Sequence, residues 1–443
     1  MGTLKAGFAR RVITPQLGTF LQGYLHKRPM EGVLDDLEVT AVAFNDGEKS
    51  AIILGVDTID IRLDYVTEYR RIISEYCGLP MEAIFINSSH THTGPGLTYE
   101  TAETYRAFLG IQLRDAAAMA LADLKPAKLS IAKGEAKGIS FIRRYRMKDG
   151  GVQTNPGVDN PEVAHPLGDA NEEVNLVKVE REGGDDIFIV TFGTHADTIG
   201  GNFISRDWPG FVRDTIERSL DGVKALFLTA SQGDVNHINP FPTVADRAGL
   251  EYESFDGVPR GYEHAKHMGR VVAGAVLQIC GKTEPVADGK ISYSEKVTHL
   301  PTHQENDRLD EARKLVELYD SGREKEIPFE KMELTTVVAE ARRIIQLENG
   351  PDHFEYILGA LAIGDIVFCA VPGEMFVDLG KRVEKESSYK MTLVCCLTNG
   401  GGTYFPTTKA YEEGGYEARS SRLAPGSDDI MVRDAIELFE SIK

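Results

Sequence analysis

The chain has 443 residues, of which 42% are hydrophobic and 26% are charged. These values are typical of folded, water-soluble proteins, and they exclude a wholly disordered, collagen-like or coiled-coil chain. The 49 lysines and arginines against 68 aspartates and glutamates give a net charge of −19. A surface of this sign repels phosphate backbones and anionic lipid headgroups, so we expect no nucleic-acid partner.

The N-terminal residues lack the apolar segment of about 7 to 15 residues that a secretory signal peptide requires. No stretch approaches the roughly 20 apolar residues of a membrane span, so we expect no integral membrane association and, by default, a cytoplasmic location. The five cysteines are an odd number and few for this length, which does not indicate a disulfide framework.

Short apolar runs rich in β-branched residues alternate with longer helical patterns, which indicates a mixed α/β fold rather than a bundle or a sandwich. Apolar spacing predicts helices over residues 65–76, 102–124, 209–220 and 262–279. Residues 306–348 are highly charged and predict one or two surface helices with a solvated face. We expect one domain over residues 1–443, with a mixed β-sheet core flanked by helices and a charged helical insertion at 290–350.

Five apolar runs each lead into a polar segment that carries a reactive or metal-competent side chain. The runs lie at residues 83–87, 186–192, 225–229, 365–371 and 391–397. The polar segments that follow them lie at residues 88–96, 193–197, 232–237, 372–374 and 399–404. Ligands of open α/β sheets bind beyond the carboxyl ends of the strands, so we expect these five ends to line one pocket.

His90 and His92 form the sharpest element of this pattern, because their i, i+2 spacing places both imidazoles on one side of an extended segment. A zinc site needs three or four N, O or S donors, and a catalytic site keeps a position open for water. His195 and Glu374 each follow an apolar run and are the natural further donors. The alternative is that His90 and His92 are loop histidines satisfied by hydrogen bonds, but the five strand ends favour a metal.

The histidines outside the five segments carry weaker signals. His264 and His267 lie on a predicted helix whose apolar neighbours favour a surface or core role over metal binding. The others are isolated in the sequence and are expected to be solvated: His26, His165, His299, His303 and His353.

The segment Ser88-Ser-His-Thr-His-Thr-Gly-Pro-Gly96 resembles the histidine loop of the neutral, non-lysosomal ceramidases, which are zinc-dependent amidases that cleave the N-acyl bond of ceramide. The resemblance extends along the chain in order, through residues 4–15, His195 with residues 204–210, the Pro-Gly-Glu374 motif and two tyrosines twelve positions apart. It implies the α/β catalytic fold of that family. The chain ends near Lys443, so we expect no C-terminal immunoglobulin-like domain.

Roles carried over from this resemblance fall into two groups. It implies zinc ligation by four residues: His90, His195, Glu374 and Tyr404. It places His92 and Tyr416 close to the substrate carbonyl and makes Arg143 a substrate-contacting residue. The chain departs from the family at one position of the zinc site. The family has a serine there and this chain has Asn236, so a covalent seryl-enzyme intermediate at that position is excluded.

We therefore predict a zinc-dependent hydrolase in which metal-bound water attacks an amide, ester or lactone carbonyl of a small polar substrate. His92 or a neighbouring carboxylate such as Asp207 would handle protons, and Tyr416, Arg143 or zinc would stabilise the oxyanion. Such a protein is ceramidase-like without being a true ceramidase. A metal-dependent lyase or isomerase and a non-catalytic, metal-clamped binding protein remain as alternatives, and the sequence does not indicate the oligomeric state.

Overall fold

The computed structural model describes residues 4–287 and 289–443, so residues 1–3 and 288 of the expected domain lie outside the described part. The helices of this part are, in chain order, α1 (Leu63–Cys77), α2 (Glu103–Ala122), α3 (Asp207–Ser219), α4 (Tyr262–Ile279), α5 (Leu309–Asp320), α6 (Lys331–Gln346), α7 (Val377–Glu386), α8 (Thr408–Glu413), α9 (Tyr416–Ser420) and α10 (Ser427–Ser441). The four helices predicted individually are confirmed as α1 to α4, and the charged segment forms α5 and α6.

The strands of the same residues are, in chain order, β1 (Lys5–Val12), β2 (Phe20–Leu21), β3 (Arg28–Pro29), β4 (Gly32–Val33), β5 (Glu38–Asn45), β6 (Ser50–Val56), β7 (Ile84–Ser88), β8 (Lys125–Glu135), β9 (Phe141–Ile142), β10 (Arg144–Met147), β11 (Val152–Thr154), β12 (Val163–Pro166), β13 (Glu173–Arg181), β14 (Asp186–Phe192), β15 (Phe203–Ile204), β16 (Val223–Thr229), β17 (Val235–Asn236), β18 (Glu284–Pro285), β19 (Ile291–Pro301), β20 (His353–Ile363), β21 (Ile366–Ala370), β22 (Glu374–Met375), β23 (Met391–Cys395) and β24 (Tyr404–Phe405). The five apolar runs of the sequence are confirmed as strands β7, β14, β16, β21 and β23.

Two mixed sheets form the centre of the molecule. The larger has the order β16-β14-β13-β8-β1-β5-β6-β7, with β18 paired to β8. Its outer pairs β14–β16 and β6–β7 are parallel, and the pairs between them are antiparallel. The smaller sheet has the order β19-β20-β21-β23, in which β21 and β23 are parallel. The predicted α/β fold with a mixed β-sheet core is therefore confirmed.

The inner faces of the two sheets pack against each other, which the sequence did not predict. One buried cluster joins residues of the larger sheet, such as Phe44 and Ile189, to residues of the smaller sheet, such as Phe368 and Leu393. Since strands buried on both faces read as continuous apolar runs rather than alternating ones, this packing explains the sequence pattern of β7, β14, β16, β21 and β23. One large hydrophobic cluster therefore lies between the sheets.

Helices cover the outer faces of both sheets. On the larger sheet, α1 and α2 pack over β5 to β7, and α3 and α4 pack over β13, β14 and β16. On the smaller sheet, α7 and α10 cover β20, β21 and β23. The result is a four-layer arrangement of helices, sheet, sheet and helices. No helix of residues 4–287 or 289–443 combines the length and the apolar character needed to cross a membrane.

The two outer strands of the larger sheet approach each other, because the sheet curls. A Cβ atom on Gly55 of β6 would lie 2.7 Å from the Leu226 side chain and 2.9 Å from the Phe227 carbonyl oxygen of β16. Only glycine permits this close approach of β16 to β6. The curl brings the carboxyl ends of β7 and β16 together, although these strands are at opposite ends of the strand order.

The Asn87 side chain, which is 1% exposed, joins three strand ends at this place. Its Oδ1 accepts a hydrogen bond from the Thr229 N–H of β16 at 3.0 Å. Its Nδ2 donates to the Cys396 carbonyl after β23 at 2.6 Å and to Thr398 Oγ1 at 2.9 Å. The amide has both donors and acceptors, so it can satisfy all three neighbours.

We predict that Asn87→Ala lowers the free energy of unfolding by about 2–5 kcal/mol, because it removes three buried hydrogen bonds and leaves the Thr229 N–H without its acceptor. Urea denaturation followed by circular dichroism measures this loss. Asn202→Ala is the matched control, since its amide bonds an exposed Glu31 carboxylate, and it should change stability by no more than about 0.5 kcal/mol. Equal values for the two variants would contradict the role given to Asn87.

Candidate metal centre

The loop after β7 carries His90 and His92. His90 has φ 68°, a left-handed conformation that is uncommon for residues other than glycine. Its backbone N–H donates to the Thr58 carbonyl at 2.9 Å, and the His92 N–H donates to the Ala196 carbonyl at 3.1 Å. The His90 Nδ1 lies 2.8 Å from the Ile59 carbonyl oxygen. A carbonyl only accepts, so Nδ1 carries the proton and Nε2 presents a lone pair.

His195 lies in the loop after β14, as His90 lies in the loop after β7. Its Nδ1 lies 2.9 Å from the Gln232 carbonyl and 3.1 Å from the Val235 carbonyl, which fixes the proton on Nδ1. Its Nε2 is buried and has no hydrogen-bond partner. The approach of this loop to residues 231–235 requires Gly193, because a Cβ there would lie 2.2 Å from the Ser231 carbonyl oxygen.

Glu374 follows β21 and lies in β22, which pairs in parallel with β24 so that Glu374 is opposite Tyr404. Its Oε2 is 3.0 Å from His195 Nε2 and 3.3 Å from His90 Nε2. The Gln232 Nε2 donates to the same oxygen over a longer distance of 3.4 Å. Burial alone raises the pKa of Glu374, but the two imidazoles lower it, and the pKa of this carboxyl lies well below its usual range.

Three potential ligand atoms therefore meet: His90 Nε2, His195 Nε2 and Glu374 Oε2. His92 lies at the same place, with its Nε2 at 3.3 Å from His90 Nε2, and the three histidines have ligand atoms within 4.8 Å of one another. When both imidazoles are neutral, all three atoms are acceptors, and a cation between them offsets their repulsion. Without a cation, burial lowers the pKa of His90, but the neighbouring Glu374 carboxylate raises it above its usual value. Two neutral imidazoles and a carboxylate are the donor set of many zinc sites, so these residues fit a zinc ion.

Tyr404, Tyr416 and Arg143 lie together beside this centre. Arg143 Nη2 donates to the Tyr404 hydroxyl at 3.2 Å, and the two tyrosine rings have centroids 5.7 Å apart. Arg143 is held by the fully buried Glu417, to which its Nε donates at 2.6 Å. Burial raises the pKa of Tyr416 to about 12 and that of Tyr404 well above its usual value. Both phenols are therefore protonated donors at neutral pH.

Asp197 is the carboxylate that faces His92. Its Oδ1 lies 3.6 Å from His92 Nδ1, a buried nitrogen that has no hydrogen-bond partner. Tyr24 donates to the same oxygen at 2.8 Å, and Arg260 donates to both carboxylate oxygens at 2.9 and 2.7 Å. Burial raises the pKa of Asp197, but Arg260 lowers it well below its usual range, so the group is ionised.

Asp207 was predicted as a possible proton-transfer group, but its carboxylate oxygens bond backbone N–H groups, and we propose that its role is structural. Asp207 begins α3 with φ 53°, and its Oδ2 accepts from the Thr198 and Ile199 N–H groups at 2.9 Å each. Its Oδ1 accepts from the Trp208 N–H at 2.6 Å. These bonds occupy both oxygens and anchor the loop after Asp197. The sequence signal for Asp197 was its place two residues after His195, at the end of the second polar segment.

Asn236 has a structural role. It occupies the position where the resemblance to the neutral ceramidases implies a serine. Its Nδ2 donates to Asn155 Oδ1 at 2.8 Å, and its Oδ1 accepts from the Ile238 N–H at 3.0 Å. The amide thus ties the loop after β17 to the loop after β11. It offers no nucleophilic atom.

A cavity of about 250 Å³ opens beside the centre. Its walls include His92, Arg143, Asp197, Tyr404 and Tyr416, together with Tyr24, Phe255, Met332 and Thr335. The last two residues belong to α6 of the charged insertion, which the sequence indicated only as a solvated surface. The insertion therefore supplies one wall of the cavity.

We predict that Asp207→Ala lowers the free energy of unfolding by at least about 3 kcal/mol, because three buried backbone N–H groups lose their acceptor. Asp207→Asn should cost only about 1–2 kcal/mol, since its oxygen still accepts from two of them and asparagine tolerates φ 53° better than alanine. Urea denaturation of the two variants measures the difference. Equal losses would show that the carboxylate does not anchor the loop.

Comparisons with known proteins show where this fold occurs. No family model and no curated protein sequence matches the chain. Among solved structures, the neutral ceramidase from Pseudomonas aeruginosa is similar, with a TM-score of 0.73 and 17% sequence identity over 100% of this chain and 75% of that one. A structure described as ceramidase complexed with C2 gives a TM-score of 0.73 and 16% identity, over 100% of this chain and 76% of that one. The chain thus has the fold of the neutral ceramidases, which confirms the expectation from its histidine loop at the level of the fold.

Proposed function

We propose that the protein is a zinc-dependent hydrolase that cleaves an amide, ester or lactone bond of a small polar substrate. The observation that carries this proposal is the meeting of three potential ligand atoms, from His90, His195 and Glu374, beside a cavity lined by His92, Arg143 and Tyr416. The likeness in fold to neutral ceramidases supports hydrolysis as the reaction class. The two histidine tautomers support a metal, because both Nε2 atoms present lone pairs to the same place.

We assign two roles to the residues around the centre, metal binding and stabilisation of an oxyanion. His90, His195 and Glu374 would hold the ion, with the Tyr404 phenol as a fourth ligand. A bound zinc ion supplies Lewis-acid polarisation of a carbonyl and activation of water at neutral pH. Tyr416 and Arg143 border the cavity as a neutral donor and a fixed positive charge, which suits them to stabilise a developing oxyanion.

His92 is the group suited to proton transfer. Its ring lies between the potential ligand atoms of the centre on one side and the ionised Asp197 on the other. Burial lowers the pKa of His92 well below its usual value, even though Asp197 opposes this shift. A neutral imidazole accepts a proton, and Asp197 would stabilise the imidazolium that results. Asp197 takes the place that the sequence analysis gave to Asp207.

The cavity favours a small substrate over a long-chain lipid. Its volume of about 250 Å³ lies at or below the lower end of the range of roughly 300–1,000 Å³ for small-molecule sites. Ten of its sixteen lining residues carry hydroxyl, amide, imidazole or charged groups. Asn236 leaves no serine for a covalent intermediate at the position where the resemblance expects one. We therefore assign direct attack by water, without an acyl-enzyme at that position.

We expect the purified protein to contain one zinc ion in this centre and to hydrolyse a member of an amide, ester and lactone panel. His90→Ala and Glu374→Ala should each lose turnover by at least about 100-fold, because removing a ligand costs more than the 10–100-fold typical of residues behind ligands. Elemental analysis and product release measure these effects. His165→Ala, which changes an exposed histidine of β12, is the control and should retain both metal and turnover.

Labelling separates hydrolysis from lyase or isomerase chemistry. In oxygen-18 water, hydrolysis places one labelled oxygen in the carboxylate product. Products without label would contradict the hydrolase assignment, and unchanged turnover in both ligand variants would contradict the metal centre. An ion that stays bound with no exchangeable position would support a structural clamp instead.

We predict that Met332→Ala shifts the substrate range towards larger acyl or leaving groups. Met332 of α6 lines the cavity, and shortening it removes part of one wall without touching the proposed ligands. The ratio of kcat/KM for a longer substrate to that for a shorter one should rise by about tenfold, as for one or two methylene groups in an apolar pocket. An unchanged ratio, with turnover retained, would show that α6 does not limit substrate size.

A further inference from the structure

A second cluster of metal-competent side chains lies on the surface. His299, His353 and Glu355 have ligand atoms within 4.8 Å of one another, and all three residues are exposed. The imidazole rings of His299 and His353 have centroids 5.1 Å apart. His299 Nδ1 lies 3.7 Å from Glu355 Oε1. The sequence indicated only isolated, solvated histidines here, because 53 residues lie between His299 and His353.

Strand pairing explains why these side chains share a face. In the antiparallel pair β19–β20, His299 is directly opposite Glu355, and His353 is opposite Pro301, two positions further along. Directly opposed residues of an antiparallel pair project to the same side of the sheet, and residues two positions apart do so as well. The three side chains therefore stand on one face of the two strands.

This part of β19 and β20 extends beyond the rest of the smaller sheet. Strand β21 pairs with β20 only from Gly359 to Ile363. From His353 to Leu358, β20 is paired only with β19 in the described sheets. A two-stranded ribbon depends on added packing for its stability, and a cross-link between its strands would add to it.

This two-stranded ribbon also connects the helical insertion to the smaller sheet, and we call it the neck of the insertion. The insertion leaves β19 after Pro301 and returns to β20 at His353, and its ends are joined by the Thr302 N–H, which donates to the Asp352 carbonyl at 3.0 Å. Its helix α6 carries Met332 and Thr335 into the wall of the catalytic cavity. The surface cluster therefore lies at the base of the element that shapes this cavity.

We propose that His299, His353 and Glu355 form a second metal site, which takes a divalent transition-metal ion such as Zn²⁺ and clips together the two strands at the neck of the insertion. Two imidazoles and one carboxylate match the ligand preferences of zinc, and three protein ligands leave a position for water. Zinc bonds of about 2.0–2.2 Å require ligand atoms somewhat closer together than 4.8 Å. Rotation of exposed side chains closes this gap without moving the backbone.

Titration of the purified holoprotein with ZnCl₂ tests the site. The protein is first loaded with zinc and gel-filtered, so that the buried centre is filled and does not contribute heat. Isothermal titration calorimetry in a non-chelating buffer should then detect one further ion per chain. His299→Ala and His353→Ala should each weaken this binding by about 100-fold or more, because they remove a ligand outright.

His165→Ala is the matched control, because it removes an exposed histidine from another strand and should leave the titration unchanged. A further ion that binds equally well to His299→Ala, or no further ion in the wild-type protein, would overturn the proposal. The result is independent of the buried centre: failure of that centre appears as loss of the first ion in His90→Ala, whereas the second ion responds only to the surface variants.

Hydrogen exchange tests whether the bound ion holds the two strands of the neck together. Adding ZnCl₂ to the loaded protein should slow amide exchange in peptides that cover residues 297–303 and 350–357, since a cross-link reduces opening of the ribbon. The same addition to His299→Ala should have no effect on these peptides. If zinc binds in the calorimetric titration but exchange at the neck is not slower, the proposal that the ion links the two strands is wrong.

Discussion

The Asn87 amide is the constraint on which the site depends. It bonds the ends of β7, β16 and β23 at once, from a position that is 1% exposed. His90 follows β7 by two residues, the carbonyl groups that orient His195 follow β16, and Tyr404 follows β23. A shift of any of these strands by one residue would break a hydrogen bond of Asn87 and turn side chains to the opposite face. The geometry of the centre is thus set in the core rather than in the loops.

Strained backbone occurs both in the histidine loop of the centre and at the residue that anchors the loop after Asp197. His90 and Asp207 adopt positive φ values, which cost of order 1 kcal/mol or more for residues other than glycine. Glu374 lies against the Nε2 atoms of His90 and His195, and with both imidazoles neutral this contact is unfavourable until a cation is present. Such costs persist where surrounding contacts fix the backbone. Here those contacts are the carbonyl groups that hold each histidine from behind and the N–H groups that Asp207 accepts from.

Much of this arrangement could be predicted from the sequence. Helices α1 to α4 followed from apolar periodicity, and the five strands followed from apolar runs because both of their faces are buried. The role of Asp207 could not be predicted, since a carboxylate that accepts from backbone N–H groups looks in the sequence like one that transfers protons. The wall supplied by Met332 was equally hidden, because it depends on how the charged insertion folds back over distant loops. The likeness to the ceramidase histidine loop supplied the tyrosines, which periodicity alone would not have singled out.

The insertion between β19 and β20 starts and ends at hydrogen-bonded neighbours, Thr302 and Asp352. A chain segment of another length can be joined at such a point without displacing either strand, because lengthening a loop costs little conformational entropy. One wall of the cavity and the proposed metal ligands are therefore encoded in separable parts of the gene. Exchange of this segment would change that wall of the cavity and leave the proposed metal ligands in place.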